Sequence, residues 1–177
     1  METRIELSKS KIVFMFLGAL AFVAASIWFL TNPEKFAKVF FNLDFAVYTI
    51  AILGISFFGL IAVLLFKKIF NSKPGILINS AGITDNSSAL SAGFIPWEDI
   101  SAIESKRITN QKFIIIILKK PENYLEKIQN KFKQRAMQMN YKMSNSPINI
   151  SANSLKISFD DLYEVLNKAL SENSKTV

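Results

Sequence analysis

Two runs without a charged residue, Ile12–Pro33 and Phe45–Phe66, constrain this chain more than any other feature. Each is 22 residues long, and a helix needs about 20 apolar residues to cross the hydrocarbon core of a bilayer. The runs predict membrane helices over about 12–30 and 45–66. Residues 1–73 then form a membrane anchor with two spans, and 74–177 a separate water-soluble domain. No charge interrupts either run, so nothing in them suggests an ion path or a proton relay. Gly18, Ala21 and Ala25 in the first and Gly54, Ser56 and Gly59 in the second let helices approach closely. They suit packing of the two spans on each other, with self-association of two chains as the alternative.

Lys and Arg near the span ends predict orientation. The amino-terminal arm carries Arg4, Lys9 and Lys11, the connection Lys35 and Lys38, and the segment after the second span Lys67, Lys68 and Lys73. This pattern places both termini on the cytoplasmic side of an inner membrane and the connection outside. A cleaved signal peptide is the competing possibility, because Ala19-Leu20-Ala21 resembles a cleavage site. The unbroken apolar sequence to Leu30 is longer than a typical signal core. Between the spans, Asn32-Pro33-Glu34 has the form of a helix start. Phe36, Val39, Phe40 and Leu43 then fall on one helical face. Pro33–Leu43 is either a short amphipathic helix in the interface or an ordinary connecting loop.

Cysteine and histidine are both missing from the sequence. That excludes disulfides, thiolate metal sites and cysteine nucleophiles, and removes the commonest general base and zinc ligand. The acid pairs Glu98/Asp99 and Asp160/Asp161 are adjacent in sequence, so on a strand they diverge and at a helix start they serve the dipole. We expect no enzyme activity, no cofactor and no metal.

The remainder reads as α+β. Pro74-Gly75 breaks the chain away from the second span. Ile76–Asn79 and Ile83–Asn86 flank a hairpin turn at Ser80-Ala81-Gly82. Gly93–Trp97, Ile100–Ile108 and Phe113–Leu118 are further strands, and the last, six apolar residues in a row, should be covered on both faces. Pro121–Met139 predicts one helix whose stripe of Leu125, Ile128, Phe132, Ala136 and Met139 covers the sheet while its lysines face water. Two short strands, Ile148–Ile150 and Leu155–Ile157, follow. Ser158 with Asp161 is a capping box opening a last helix with a stripe of Phe159, Leu162, Leu166 and Ala169–Leu170. Strands first and a closing helix suit a strongly bent sheet plugged at one end.

Ile95-Pro96-Trp97-Glu98-Asp99-Ile100 resembles the pattern of an apolar residue, Trp, acid and Ile in bacterial pleckstrin-homology-like domains that follow paired membrane spans. Gly82-Ile83-Thr84-Asp85-Asn86-Ser87-Ser88 with Gly93, and Ile5-Glu6-Leu7-Ser8-Lys9 ahead of the first span, add to this. Over nearly its whole length the chain resembles a family of small, uncharacterised two-pass bacterial membrane proteins with a carboxy-terminal domain of that kind. The resemblance implies a PH-like barrel and brings no catalytic residues. The basic helix between strands departs from a plain PH layout.

Net charge is +7, with 18 Lys against 3 Arg. Seven of the basic residues lie in Lys119–Lys142, beside two acids. Lys119, Lys120, Lys127, Lys131, Lys133 and Arg135 are candidate contacts to anionic lipid headgroups of the bilayer; the plain alternative is a solvated helix face. Scarce arginine argues against a bidentate phosphate pocket, and no aromatic platform interleaves the basic residues to hold nucleic acid. Trp97, Glu98 and Asp99 are a candidate ledge for a protein partner, or a core residue followed by a turn. The sequons at Asn86 and Asn149 are given no role. The expected function is a membrane-anchored, non-catalytic binding or scaffold module. The alternative is a structural or assembly subunit of a membrane complex acting mainly through its spans.

Overall fold

The structure, a computed structural model, describes residues 2–37, 44–88 and 90–173. It divides into two compact units, Lys9–Ser72 and a head made of Met1–Ser8 with Lys73–Val177.

The first unit contains α1 (Lys9–Thr31), α2 (Pro33–Ala37) and α3 (Asp44–Ile69). Both long helices are apolar and long enough to cross a membrane. Of their described residues only Ile12, Ala19, Val47, Ala51 and Ala62 are buried, while rings and aliphatic chains such as Phe14, Phe22, Phe45, Leu53, Phe57 and Leu60 are exposed. So broad an apolar surface does not belong in water. The helices run side by side, with Phe22 stacked on Phe58 at 4.4 Å and Phe16 5.9 Å from Phe66. Gly54 permits a close approach: a Cβ there would collide with the Ser26 side chain. By contrast, Gly18 and Gly59 face open space, so not every small residue serves this contact. At one end the Lys9 ammonium donates to the carbonyls of Ile69 and Asn71, both at 2.5 Å. A cation at a helix carboxyl end satisfies otherwise unpaired carbonyls and suits the dipole. Helix α2 begins at Pro33 as its Asn-Pro-Glu start predicts, and Phe36 packs on Trp28 and Phe29. The predicted face residues Val39, Phe40 and Leu43 lie outside the described residues.

The head opens with a strand that sequence patterning did not predict. Here β1 (Thr3–Ile5) pairs antiparallel with β2 (Ile76–Ile78), Ile5 opposite Ile76. The amino-terminal arm, read with the anchor, therefore belongs to the head. The sheet continues through β3 (Gly82–Asp85) to β4 (Gly93–Pro96), in the order β1-β2-β3-β4. Beyond β1 the chain stays in the fold: Leu7 bridges Leu155, the Ser8 amide donates to the Ser154 carbonyl at 2.8 Å, and the Lys156 amide to the Glu6 carbonyl at 2.9 Å. Leu155–Ile157 is accordingly not a strand of a sheet. Its backbone is engaged by the arm, after a short 3-10 turn at Ala152–Ser154.

A 3-10 turn at Trp97–Asp99 leads into the second sheet, β5 (Ile100–Ile108), β6 (Gln111–Leu118) and β7 (Ile148–Ile150), antiparallel in that order. Successive residues of a strand point to opposite faces, and Ile114, Ile115 and Ile116 are all buried. Strand β6 is thus covered on both sides, as its unbroken apolar run requires. Helix α6 (Phe159–Asn173) packs on β5, burying Leu162 and Leu166. Ser158 caps it as expected: the Asp161 amide donates to Ser158 Oγ at 3.1 Å, while that hydroxyl donates to Asp161 Oδ2 at 2.6 Å.

The single helix predicted over Pro121–Met139 is two helices, α4 (Pro121–Glu126) and α5 (Lys131–Ser144). Asn130 caps the second, its side chain accepting from the Lys133 amide at 3.0 Å, and Asn145 closes it in the left-handed conformation. The break resets the helical phase. Leu125 stays buried, but Phe132 and Met139 turn outward, and Met137 takes the inward position.

Candidate binding surfaces

Trp97 is turned into the head. Its indole N–H donates to the Asn79 carbonyl at 2.8 Å and its amide to the Ala81 carbonyl at 3.2 Å. It pins the β2–β3 turn to the β4–β5 junction, which is the core role weighed for it, and leaves Glu98 and Asp99 exposed at the turn.

The six basic candidates do not share a face. Lys119 and Lys120 are exposed where β6 meets α4. Lys127 and Lys133 line a cleft of about 540 Å³ with Asp99, Phe94, Tyr124 and Asn130. Lys131 and Arg135 are exposed on α5. The break at 127–130 separates Lys127 from the basic residues of α5, and Lys119 and Lys120 precede both helices.

Beside the cleft lies a network absent from the sequence expectations. Asp85 is buried at the end of β3, where its carboxylate accepts from the Ser87 amide at 2.8 Å, the Ser87 hydroxyl at 2.6 Å and the Ala92 amide at 2.9 Å. The Tyr124 hydroxyl donates to the Ala92 carbonyl at 2.8 Å. Burial, and then the nearby Asp85 carboxylate, push the Tyr124 phenol up to about 12. Three accepted bonds make Asp85 a clasp for the β3–β4 connection. An Asp followed by serines is weak evidence of that, because the same residues fill solvated turns.

Tyr141 of α5 donates to Glu122 of α4 at 3.0 Å, and that bond raises its phenol. Among the described residues, no group of three or more acidic, histidine or cysteine side chains could hold a metal ion.

The raised Tyr124 gives a pH dependence. A phenol whose folded value exceeds its unfolded value near 10 contributes stability that is complete below pH 10 and disappears as pH rises toward 12. We expect the Tyr absorbance titration near 295 nm to end in a late step at about pH 12 that Tyr124→Phe removes. A late step that survives in Tyr124→Phe would assign it to another tyrosine.

Comparison with protein-family models, with curated protein sequences and with solved structures returned no match for this chain.

Proposed function

We propose that this protein is a non-catalytic binding or scaffold module, anchored by α1 and α3 in a cytoplasmic membrane with its head inside. The head presents surface to the bilayer or to a protein partner. The observation that carries this reading is the connectivity of the head. Ile5 and Ile76 face each other across a strand pair, and the apolar helices occupy the place of the loop that joins them. A folded unit interrupted by two spans returns to the side from which it left, which supports a single compartment for both termini. Lysines after α3 favour the inner side by the charge rule.

The head supports the PH-like resemblance as well. Four antiparallel strands, three antiparallel strands and a closing helix suit a bent-sheet barrel, with α4 and α5 inserted between β6 and β7. The missing histidine and cysteine and the dispersed carboxylates support a non-catalytic role.

An assembly subunit acting through its spans is the second reading, favoured by the open faces at Gly18 and Gly59. Exchange of α1–α3 for an unrelated two-span hairpin separates the two. Photocrosslinkers at Phe94 and Glu98 in native membranes should capture the same partners before and after exchange if the head is the binding part. Loss of those partners after exchange would overturn that assignment and favour the subunit.

A further inference from the structure

We infer that α5 is the lipid-docking surface of the head: it seats Phe132, Met139 and Met143 in the headgroup boundary of an anionic bilayer, with Lys131, Arg135 and Lys142 on the phosphates. This rests on the membrane-anchored reading above and names the surface that reading leaves open.

Positions 132, 139 and 143 recur at i, i+7 and i+11, one stripe of a helix with 3.6 residues per turn. They are 78%, 64% and 52% exposed, whereas Met137, on the opposite side, is 1% exposed. The inward side is fully used. Gln134 donates to the Leu125 carbonyl at 3.0 Å, Tyr141 bonds Glu122, and Asn140 donates to the Pro147 carbonyl at 3.3 Å. The outward stripe is therefore left largely exposed among the described residues. Along one flank of it run Lys131, Arg135 and Lys142, about a quarter of a turn away by the same geometry and all exposed. Lys106 of β5 adds a cation at the carboxyl end, donating to the Met143 carbonyl at 2.8 Å.

An apolar stripe with a cationic flank is the pattern of a helix lying in a membrane interface. Charge complementarity selects an anionic surface. In the membrane-anchored reading the head is tethered to the bilayer by a short connection, because it resumes at Lys73, a few residues after α3 ends at Ile69. Tethering makes docking an intramolecular event at high effective concentration, so a modest surface suffices. The set differs from the six basic candidates of the sequence: Lys142 joins it, Lys127 and Lys133 belong to the cleft, and Lys119 and Lys120 precede α4.

The full chain lacks cysteine, so Met139→Cys accepts one fluorophore, and Met143→Cys repeats the measurement at a second exposed position. In nanodiscs rich in phosphatidylglycerol, lipids spin-labelled near the headgroup should quench both labels. A label at Glu164→Cys, on α6, should stay unquenched. Each cation contributes about fivefold to the ratio of docked to undocked heads near an anionic surface. The combination K131Q, R135Q and K142Q should thus lower that ratio about a hundredfold, with a similar loss in phosphatidylcholine alone. Unquenched labels in anionic discs, or equal quenching in neutral ones, would overturn the proposal while leaving the anchor intact. Shielding that arises only when a soluble protein extract is added would overturn it in favour of a protein partner. A chain that fails to incorporate into discs would overturn both the docking and the anchor.

Discussion

Removal of residues 2–8 is expected to unfold the head. The deletion takes away β1 and the buried side chains of Ile5 and Leu7, exposes the edge of β2, and frees Leu155, which Leu7 bridges. Fully burying a side chain of this size is worth about 1.5–3 kcal/mol. Each lost backbone bond to Ser154 and from Lys156 adds roughly 1 kcal/mol. The sum, about 5–8 kcal/mol, rivals the whole stability of a typical domain, about 5–15 kcal/mol. A polypeptide of residues 73–177 should accordingly show no cooperative urea transition. Residues 2–8 joined to 73–177 through a short Gly/Ser loop should restore one, because Ile5 already lies opposite Ile76 and a hairpin loop can close such a pair. A cooperative transition of equal midpoint in both polypeptides would show that β1 is dispensable.

Gly82→Ala should be the most damaging single-methyl change in the head. A Cβ at Gly82 would lie 2.2 Å from the Ile95 carbonyl oxygen and 2.9 Å from Pro96 Cα. Both obstacles are backbone of the neighbouring β4, so no rotamer change relieves them. Strand β4 must move away, loosening the pairs Gly82–Pro96 and Ile83–Ile95 and the Trp97 bond to Asn79. Overpacking of this kind costs about 1–3 kcal/mol, and the strained strand pairing places it at the upper end. Gly18→Ala and Gly59→Ala meet nothing within 4 Å. In a helix, that exchange gains about 0.5–1 kcal/mol. Thermal melts of the three variants in detergent should order as Gly82→Ala lowest and the helical pair at or above the parent. A parent-like Gly82→Ala would mean that β3 and β4 are not so closely apposed.

These two sites mark where sequence patterning succeeds and where it stops. The two long apolar helices were legible because an unbroken uncharged run of that length has few other uses. Strands β2 to β7 were legible from apolar runs bounded by turn residues, and α6 from its capping box and stripe. Strand β1 was not. Three residues carry no periodicity, and its partner lies beyond both long apolar helices in the chain, so only long-range pairing defines it. The break between α4 and α5 was missed because Lys127–Asn130 contains neither Gly nor Pro. Asn130, a good N-cap residue, was the one local signal. The reversal at Thr109 was hidden likewise, since a β-branched residue at φ 55° is an uncommon choice for a turn. Candidate sites inherit these misses. The basic run was visible as composition, but its division between a cleft and the outer face of α5 depends on the phase that Asn130 resets. Asp85 and Tyr124 come together only through packing.

The central claim is that β1 and the rest of the head fold together in one compartment, with two membrane spans between them. Single cysteines at Glu2, Asn32 and Glu164, challenged in intact cells with a maleimide that cannot cross membranes, test it most directly. Only Asn32→Cys should react from outside, while Glu2→Cys and Glu164→Cys should react together once the cells are opened. Reaction of Glu2→Cys and Glu164→Cys from opposite sides of the membrane would contradict the claim.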